Sequence, residues 1–406
     1  MRLLHTADWH LGRPLYEKKR FAEAERFLRW LLDTIRERQV SALVVAGDVF
    51  DNGAPGNTAQ ELYYRFLADL KNTPCRHALV VAGNHDSPAF LHAPASVLRA
   101  LSVQVVGQIA RDPADDVFLW RDGDGKPEML VAAVPYLRER DVRLSVAGEN
   151  YDEQLQKFAA GVAARYAAVA EIAAQRRSEL GADLSASIPI VATGHLMVAG
   201  GQSVADGSGI HDWRVGTLAG LSADIFSPVF AYVALGHLHI SQTVAHRETV
   251  RYSGSPLPMT FAEAGAEKSV VLVEFTGRSS AVQKIAVPVF QPLKTVRGDL
   301  AEIARQIGEC RDPTWVEVTY TGAAVLPNLA AQLRELTVGT PAEILRIKNR
   351  RPTAEPTVDE TPPTLDDLSP VEVFARQLDA ENIPAAQREE LRRCYREILA
   401  NIRKGS

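Results

Sequence analysis

Residues 42–51, with the sequence ALVVAGDVFD, decide the fold of this chain. Five apolar residues in succession, 42–46, are typical of a strand buried on both faces of a sheet. The run ends at Gly47, a residue whose backbone can turn sharply, and the carboxylate of Asp48 follows at once. The stretch therefore predicts a buried strand that presents an acidic side chain at its carboxyl end.

Four further segments place histidine, aspartate or asparagine at the end of an apolar run. They are Asp8-Trp9-His10, Gly83-Asn84-His85-Asp86, Gly194-His195 and Gly236-His237-Leu238-His239. Helical periodicity over 21–38 and 59–70 separates the first three strands, and such alternation indicates βαβ units around a buried sheet. We therefore expect five strand ends to contribute to one shared site.

Length and composition bound the class of protein. A chain of 406 residues predicts two or three domains, and 46% apolar with 23% charged residues is ordinary for a globular protein. A formal net charge of −5 argues against a uniformly basic nucleic-acid coat but permits a local basic groove. The three cysteines have neither metal-ligand spacing nor a disulfide framework, which predicts a cytoplasmic protein.

The sequence pattern divides the chain into four parts. They are a domain at 1–287 with a helical insertion at about 138–180, a compact α+β unit at 288–350, a linker at 351–368 and two amphipathic helices at 369–406. The insertion is alanine-rich but interrupted by Arg165 and Glu171, so it predicts a soluble helix and no membrane span.

Each C-terminal helix carries an apolar face. The apolar positions singled out for partner binding are Phe374, Leu378, Leu391, Tyr395 and Ile398. Two short helices on a polar tether are not expected to bury these faces against each other alone. We therefore expect them to dock into a partner groove or back onto the core.

The five segments suit phosphodiester hydrolysis by two metal ions. That reaction needs an activated water and neutralisation of charge on the phosphoryl oxygens, which two divalent metals about 3.5–4 Å apart supply. Asp48 is the natural bridging carboxylate. Asp8 and His10 lie two residues apart, as do His237 and His239, so each pair shares a face in extended geometry.

The donor types bear on the metal and on the catalytic acid. Imidazole, carboxylate and the amide of Asn84, without thiolate, suit manganese, iron or zinc rather than a structural zinc site. If Asn84 faces the metal, then His85 is free to protonate or stabilise the leaving oxygen, with Asp86 accepting its imidazole N–H. Among the other histidines, which are expected to be structural, His5 has the alternative of supporting the site.

The order of the five segments resembles that of the calcineurin-like metallophosphoesterases. Flanking sequences sharpen the resemblance to the bacterial DNA-nuclease subunits within that family: His5–Gly12, Gly47–Asp51, Ala82–Ser87 and Tyr252–Pro256. The resemblance implies an α/β (α+β) metallophosphoesterase fold, a four-layer β-sandwich flanked by helices, with a small α+β capping domain and C-terminal helices.

The resemblance also implies a ligand set with two metal sites that share one carboxylate. One site would consist of Asp8, His10, Asp48 and His239, the other of Asp48, Asn84, His195 and His237. It implies His85 as the catalytic histidine, manganese as the metal, a homodimer, and an ABC-type ATPase partner that grips the C-terminal helices. The implied activities are ATP-dependent exonuclease action on duplex DNA and endonuclease action on single strands and hairpins.

The basic cluster Arg13, Lys18, Lys19 and Arg20 follows the first motif and is a candidate for contacts to DNA phosphates, or alternatively a solvated start of a helix. Two other functions compete with a nuclease. A small-molecule phosphodiesterase or a protein phosphatase would use the same motifs, but neither needs a capping domain plus tethered helices. A non-catalytic scaffold would be expected to lose ligands, yet every candidate metal position and His85 are filled.

Overall fold

The structure, a computed structural model, describes residues 1–143, 148–199, 221–324 and 326–350, with residues 374, 388, 391–393 and 395. The chain forms two compact units, Met1–Arg350 and Arg351–Ser406. Every segment of the predicted metal site belongs to the first unit.

The strands of the first unit are β1 (Arg2–Thr6), β2 (Ala42–Ala46), β3 (His77–Val81), β4 (Val103–Val106), β5 (Val117–Arg121), β6 (Pro127–Ala132), β7 (Ile190–His195), β8 (Tyr232–Gly236), β9 (Gln242–Val244), β10 (Arg247–Tyr252), β11 (Ser269–Thr276), β12 (Ser279–Ala286), β13 (Leu293–Gly298), β14 (Thr314–Tyr320) and β15 (Ala342–Asn349). The α-helices are α1 (Phe21–Glu37), α2 (Asn57–Leu70), α3 (Pro88–His92), α4 (Ala95–Arg99), α5 (Glu139–Val142), α6 (Tyr151–Ser178), α7 (Ala182–Ser187), α8 (Leu300–Gly308) and α9 (Leu329–Glu335).

Two six-stranded sheets form the body of this unit. The first has the order β12-β11-β1-β2-β3-β4 and the second β5-β6-β7-β8-β10-β9. Strands β1 to β4 are parallel to one another, and so are β6, β7, β8 and β10. Parallel neighbours end at the same edge of a sheet, which is why the polar segments that follow them assemble there.

The two sheets pack face to face with a helical layer on each outer side. Along β2, Val44 and Ala46 face the second sheet, whereas Leu43 and Val45 pack with α1 and α2. This alternation follows from the two-residue period of a strand, and both sets are fully buried because both faces are covered. The four-layer fold predicted for the chain is confirmed.

The predicted helical insertion forms the outer layer of the second sheet. Helix α6 is capped by Asn150, whose side chain accepts a hydrogen bond from the backbone N–H of Glu153 in a capping box. Its buried face includes Tyr166, whose hydroxyl donates to the backbone oxygen of Thr193 at 3.0 Å. In the described part of the chain, no helix is long and apolar enough to cross a membrane.

The α+β unit predicted at 288–350 contains its own sheet and core. Strands β13, β14 and β15 are parallel in that order, and α8 packs on them through Ile303 and Ile307. It contacts the loop after β1 through two polar interactions. Arg346 donates to the hydroxyl of Tyr16 at 2.6 Å, and Lys18 forms a 2.6 Å ion pair with Glu343.

In the second unit, the predicted linker at 351–368 lies outside the described residues, as do Leu378 and Ile398 of the predicted partner-binding set. The rings of Phe374 and Tyr395 stack with their centroids 4.1 Å apart. Both side chains stay only half-buried, so the expectation that these faces need a further partner stays a prediction. Leu391 remains 39% exposed.

Candidate metal centre

Seven predicted metal-ligand side chains converge at the carboxyl ends of five strands. Asp8 and His10 follow β1, Asp48 follows β2, Asn84 follows β3, His195 ends β7, and His237 and His239 follow β8. The first three strands belong to one sheet and the last two to the other, so the centre lies where the edges of the two sheets meet.

The first group of donors consists of Asp8, His10, Asp48 and His239. One donor atom each from Asp8, His10 and His239 lies within 4.8 Å of the others. The Nε2 atoms of His10 and His239 are 3.3 Å apart, and the His10 Nε2 is 3.7 Å from the Asp48 Oδ2. The imidazole nitrogens of two strand ends therefore face each other beside a shared carboxylate.

The second group is built around the amide oxygen of Asn84. This oxygen is 3.0 Å from the His195 Nε2 and 3.0 Å from the His237 Nδ1. The His195 Nε2 is also 3.3 Å from the Asp48 Oδ2. Because the His195 Nδ1 lies 2.8 Å from the backbone oxygen of Ala46, that nitrogen carries a proton, which leaves Nε2 to face the centre.

Several donors have a backbone that L-residues rarely adopt. Positive φ values occur at Asp8 (55°), His10 (45°), Asp48 (50°) and His237 (102°). Such conformations cost of order 1–3 kcal/mol each and persist only where the surroundings enforce them. Here the loops after β1 and β2 hold each other, because the N–H groups of Asp8 and His10 donate to the backbone oxygens of Gly47 and Asp48, both at 3.0 Å.

Two glycines permit the close approach of these loops. Gly47 has a φ of 93°, and a Cβ there would lie 2.2 Å from the His195 Nδ1. At Gly83 a Cβ would lie 2.0 Å from the Asp48 Oδ1. A side chain at either position would collide with the site, so both glycines let the two loops approach each other.

The two buried carboxylates titrate in opposite directions. Burial raises the pKa of Asp8 to about 8, with the charge of His195 acting against it and that of Asp48 adding to it. For Asp48, burial also favours the neutral form, but the neighbouring imidazoles of His195 and His10 outweigh it and lower the pKa. Two carboxylates this close do not both ionise without compensating cations.

The pKa values of the histidines in the cluster are also shifted in opposite directions. Burial lowers the pKa of His237 to about 4 and that of His239 to about 3, so both are neutral donors near pH 7. Burial opposes the charged form of His195 as well, but the Asp48 carboxylate prevails and raises the pKa to about 9. A metal ion displaces such a proton, because imidazole ligands bind in the neutral form.

The donor set fits divalent cations. Within the described residues the buried Nδ1 of His10 has no hydrogen-bond partner, and the two Nε2 atoms of His10 and His239 point at each other. Imidazole, carboxylate and amide donors gathered in a buried cluster are the chemistry that borderline divalent metals prefer. A cation in each group would satisfy nitrogens and oxygens that otherwise repel one another.

His85 lies beside this cluster but is held differently from the sequence-based prediction. Its Nδ1 is 2.8 Å from the backbone oxygen of Asp51, and its backbone N–H donates to the Asp48 Oδ1 at 2.9 Å. Its ring lies edge-to-face with that of His10, with 4.9 Å between centroids. Because a carbonyl only accepts, the Nδ1 carries a proton and the Nε2 remains for exchange with a substrate.

The prediction that Asp86 accepts a hydrogen bond from the ring of His85 is wrong. Its carboxylate does not receive the imidazole N–H of His85. It accepts the backbone N–H groups of Val49, Phe50 and Gly83 at 3.1, 3.0 and 2.9 Å. Asp86 therefore ties the turn after β2 to the turn after β3, and its 3% exposure keeps it from any substrate.

The four basic candidates for DNA contact do not share one environment. The prediction that Arg20 contacts DNA is wrong, because this residue is 7% exposed and its guanidinium forms a bidentate pair with Glu23 at 2.7 and 2.9 Å. Lys18 is engaged by Glu343 of the α+β unit. Arg13 lies 3.6 Å from Asp51 at the edge of the centre, and Lys19 is exposed.

Sequence reasoning missed three functional neighbours of the centre. Asp51 stands in the quoted motif 47–51 but received no role, although its carbonyl orients His85 and its carboxylate lies 3.7 Å from the His10 Nδ1. The other two are Tyr136, whose ring lies edge-to-face with His195 at 6.3 Å, and Lys268, which donates to the backbone oxygen of His239 at 3.1 Å. Lys268 is 29 residues away from that histidine, and no local pattern signals the contact.

His5 is structural, as expected for the histidines outside the five segments. It does not reach the donors, and its Nδ1 bonds the hydroxyl of Tyr232 at 2.9 Å between the two sheets. The hydrogen bond to Tyr232 favours this structural role over the alternative that His5 supports the site.

The layered fold and this cluster of donors define a metallophosphoesterase. In agreement, residues 1–143 match the family model described as calcineurin-like phosphoesterase. Residues 289–382 match the model described as type 5 capsule protein repressor C-terminal domain.

Curated relatives identify the family within that class. The chain is 37% identical to the SbcD subunit of nuclease SbcCD from Escherichia coli strain K12 over 409 residues, which covers 99% of this chain and 98% of the relative. The corresponding SbcD subunit of Bacillus subtilis is 32% identical, and the match covers 78% of both chains. The chain therefore belongs to the SbcD family of SbcCD nuclease subunits. Among solved structures, a dimetal phosphatase from Danio rerio matches 71% of this chain and 99% of its own at 12% identity and a TM-score of 0.36.

Proposed function

We propose that the chain is a two-metal DNA phosphodiesterase, the nuclease subunit of an SbcCD-type complex. One observation carries the proposal. The Oδ2 of Asp48 lies 3.7 Å from the His10 Nε2 and 3.3 Å from the His195 Nε2, between two separate groups of donors. A carboxylate in that position is the bridge that a pair of divalent ions requires.

The ligand assignment follows the two groups. One ion would be held by Asp8, His10, Asp48 and His239, the other by Asp48, Asn84, His195 and His237. We propose manganese for both, because the set combines nitrogen with hard oxygen donors and contains no thiolate. Iron and zinc are the alternatives for the same donors.

When bound, the two ions supply an acidified water and neutralise charge on the phosphoryl oxygens. The residues of the chain do the rest. Asp48 and Asp8 provide the negative charge that holds the centre together, and Asp86 fixes the turns that carry Asp48 and Asn84. In its cationic form His85, held at its Nδ1 by the carbonyl of Asp51, gives the proton on its Nε2 to the ester oxygen as the phosphorus–oxygen bond breaks, and the neutral ring keeps its proton on Nδ1.

We propose that activity on duplex ends depends on an SbcC-type ABC ATPase and ATP, with endonuclease action on single strands and hairpins. The complex named for the curated relatives supports this assignment. In this proposal 1–287 is the nuclease domain, 288–350 the capping domain, and 369–406 the segment that docks the ATPase. A nuclease that processes chromosomal DNA works in the cytoplasm at the nucleoid, which is the compartment proposed here.

Arg13 and Lys19 are the proposed contacts to DNA phosphates. Arg13 lies at the rim of the centre and Lys19 is exposed on the same loop, whereas Arg20 is buried. Contacts of this kind give affinity and salt dependence rather than sequence preference. Removing either side chain should therefore reduce the slope of log K against log salt by about 0.9 on duplex DNA.

We also propose a homodimer, as the family resemblance implies. A surface groove between α1 and α2 offers a candidate interface, because acidic Glu25 and Asp69 and basic Arg29 and Arg65 line it together. Glu25 pairs with Arg29 at 3.3 Å and with Arg65 at 2.9 Å within the chain, so a two-fold dimer would exchange these pairs for the same pairs across the interface. Light scattering of wild type and an Arg65→Glu variant tests this, and a monomeric wild type would contradict it.

The nuclease proposal is tested by metal-dependent cleavage of a labelled DNA hairpin beside bis-(p-nitrophenyl) phosphate. The purified chain with Mn²⁺ should cut both substrates, and Asp48→Asn should cut neither because the bridging charge is gone. Hydrolysis of the small diester with DNA left intact, even with the ATPase present, would favour a small-molecule phosphodiesterase. Unchanged activity in Asp48→Asn would reject the two-metal centre.

A further inference from the structure

The backbone oxygen of His239 is held by a buried lysine. The Nζ of Lys268 donates to this oxygen at 3.1 Å, and the backbone N–H of Ser255 donates to it at 3.3 Å. Lys268 is 9% exposed, although lysine is rarely buried without a specific partner. The Oγ of Ser255 also donates to this oxygen at 3.5 Å, so the carbonyl of a proposed metal ligand is held by Lys268 and Ser255 together.

The ammonium of Lys268 is fixed by its other contacts. It donates to the Oγ of Ser255 at 2.9 Å and pairs with the carboxylate of Glu263. The second oxygen of Glu263 accepts the backbone N–H of Met259 at 3.1 Å. Three acceptors satisfy the three N–H groups of the ammonium, so its position relative to His239 is fully determined.

A glycine turn completes the support. Gly254 has a φ of 76°, and a Cβ there would lie 2.7 Å from the Ser241 nitrogen and 3.0 Å from the His239 oxygen. The turn at 253–256 therefore packs directly against the backbone of 239–241. This segment belongs to the sequence Tyr252–Pro256, one of the four flanking sequences that carry the family resemblance.

We infer that Lys268 is a positioning residue that sets the metal affinity of the site containing His239. The inference rests on the proposed two-metal function. A buried ion pair is a weak source of stability, because desolvation offsets much of the attraction. Lys268 contacts the backbone of a proposed ligand, so we expect its removal to change metal affinity. Removal of groups that orient a metal ligand typically changes that affinity about 10–100-fold.

Positioning and simple charge predict opposite results. Lys268 is a cation near a cation site, so through-space repulsion alone would make its removal tighten metal binding. If the ammonium instead holds the His239 carbonyl, its removal loosens the ligand and weakens binding at that one site. The sign of the change in affinity therefore separates the two accounts.

Lys268→Met is the test variant, and Arg20→Met is the matched control. Arg20 is also a buried cation, is paired with Glu23, and donates to the backbone oxygen of Pro258 at 2.6 Å. It supports the same segment without touching a ligand. Both variants remove a buried ion pair, but only Lys268→Met removes a hydrogen bond to the centre.

Manganese binding to the full chain is measured by calorimetry and by electron paramagnetic resonance of the coupled ion pair. We expect two ions in wild type and in Arg20→Met. Lys268→Met should bind one ion with unchanged affinity and the other about 10–100-fold more weakly. Should Lys268→Met fold poorly, Ser255→Ala removes one anchor of the ammonium and should weaken the same site to a smaller degree.

Equal weakening of both sites, tighter binding, or a result matching Arg20→Met would overturn the inference. If wild type and Lys268→Met both bind two ions with the same affinities, the positioning role is rejected and the two-metal function stands. A wild type that binds fewer than two ions rejects the two-metal function and this inference together.

Discussion

The Nδ1 of His85 lies 2.8 Å from the backbone oxygen of Asp51, not beside the carboxylate of Asp86 that follows it in sequence. A carbonyl fixes the tautomer and the ring orientation without placing a negative charge on the imidazole. The loop after β2 thus supplies both the proposed bridging carboxylate, Asp48, and the group that orients the proposed acid. Any shift of that loop moves the metal centre and the acid together.

His85→Gln should leave both metal ions bound and reduce turnover by about 10²–10⁴-fold, the range for one acid or base group. The reason is that the His85 ring donates to a carbonyl and lies beside the donors without belonging to either group of four. Metal stoichiometry and single-turnover cleavage measure the two effects separately. A variant that loses an ion would make His85 a ligand instead.

Asp86→Asn should act on stability. The carboxylate accepts three backbone N–H groups, and an amide presents an N–H₂ where one oxygen stood, so at least one of those buried donors loses its acceptor. The expected loss in the free energy of unfolding is about 1–3 kcal/mol, measured by urea denaturation. His85→Gln serves as the comparison and should unfold near the wild-type midpoint. Full stability with abolished turnover in Asp86→Asn would restore its catalytic role.

Gly83→Ala should disable the centre although it adds one methyl group. The new Cβ would lie 2.0 Å from the Asp48 Oδ1 and 2.4 Å from the Asp48 nitrogen, so the bridging carboxylate has to move. A displacement of about 1 Å at a reacting centre costs on the order of 10²-fold in rate.

Gly53→Ala is the matched control for this change, because its Cβ would meet Ser87 at an ordinary 3.5 Å. It should retain wild-type metal binding and cleavage of bis-(p-nitrophenyl) phosphate. Equal activity of the two alanine variants would mean that the two loops are not as tightly apposed as described.

The free energy of unfolding should decrease as the pH falls, because His5 binds a proton more readily in the unfolded state. Burial lowers the pKa of this histidine to about 3, from about 6.5 for an exposed imidazole. The folded state therefore stays neutral while the unfolded state takes up a proton, and stability present above pH 6.5 is lost as the pH falls towards 3. The loss approaches about 1.4 kcal/mol per pH unit for this one group.

His5→Gln should remove that contribution while keeping a polar group near the Tyr232 hydroxyl. The free energy of unfolding is measured against pH for both proteins in a chelator, so that metal binding does not enter. Between pH 6 and pH 4 the slopes of the two curves should differ by the uptake of about one proton on unfolding, which is about 1.4 kcal/mol per pH unit. Parallel curves would show that His5 titrates normally in the folded protein.

Local pattern was enough to predict the strand ends and the donors they carry. The run 42–46 predicted β2 as a fully buried strand, and all five strands that carry donors lie where the apolar runs predicted them. A strand buried on both faces is apolar along its whole length, and the polar residues that come directly after it form a turn. The end of the apolar run therefore marks the end of the strand. Strands β4, β5 and β6 were missed because their runs are short or mixed, and packing between the sheets determines them.

Contacts between distant segments were not readable in advance. Arg20 looked like part of an exposed basic cluster, but its guanidinium is buried and donates to the backbone oxygen of Pro258, 238 residues further along the chain. Asp86 is adjacent to His85 in sequence, yet the turn directs its side chain to three amides behind the site. In each case the tertiary partner, not the residue type, decided the role.

Deletion of residues 369–404 should preserve metal-dependent hydrolysis and abolish capture of the ATPase subunit. All donors of the metal centre lie in the unit Met1–Arg350, and the described residues of the C-terminal helices lie in the unit Arg351–Ser406. Cleavage of bis-(p-nitrophenyl) phosphate reports the first property, and copurification of coexpressed ATPase reports the second.

A point variant separates docking from the integrity of that segment. Leu391 is 39% exposed, whereas the rings of Phe374 and Tyr395 already stack on each other. Leu391→Glu should therefore weaken ATPase binding without disturbing the helices, while Tyr395→Ala disturbs the contact between them. Burying the exposed 39% of this side chain contributes about 0.6–1.2 kcal/mol, so its replacement by a charge should reduce affinity about threefold or more. A truncated chain that still copurifies with the ATPase would place the docking surface in the unit Met1–Arg350 instead.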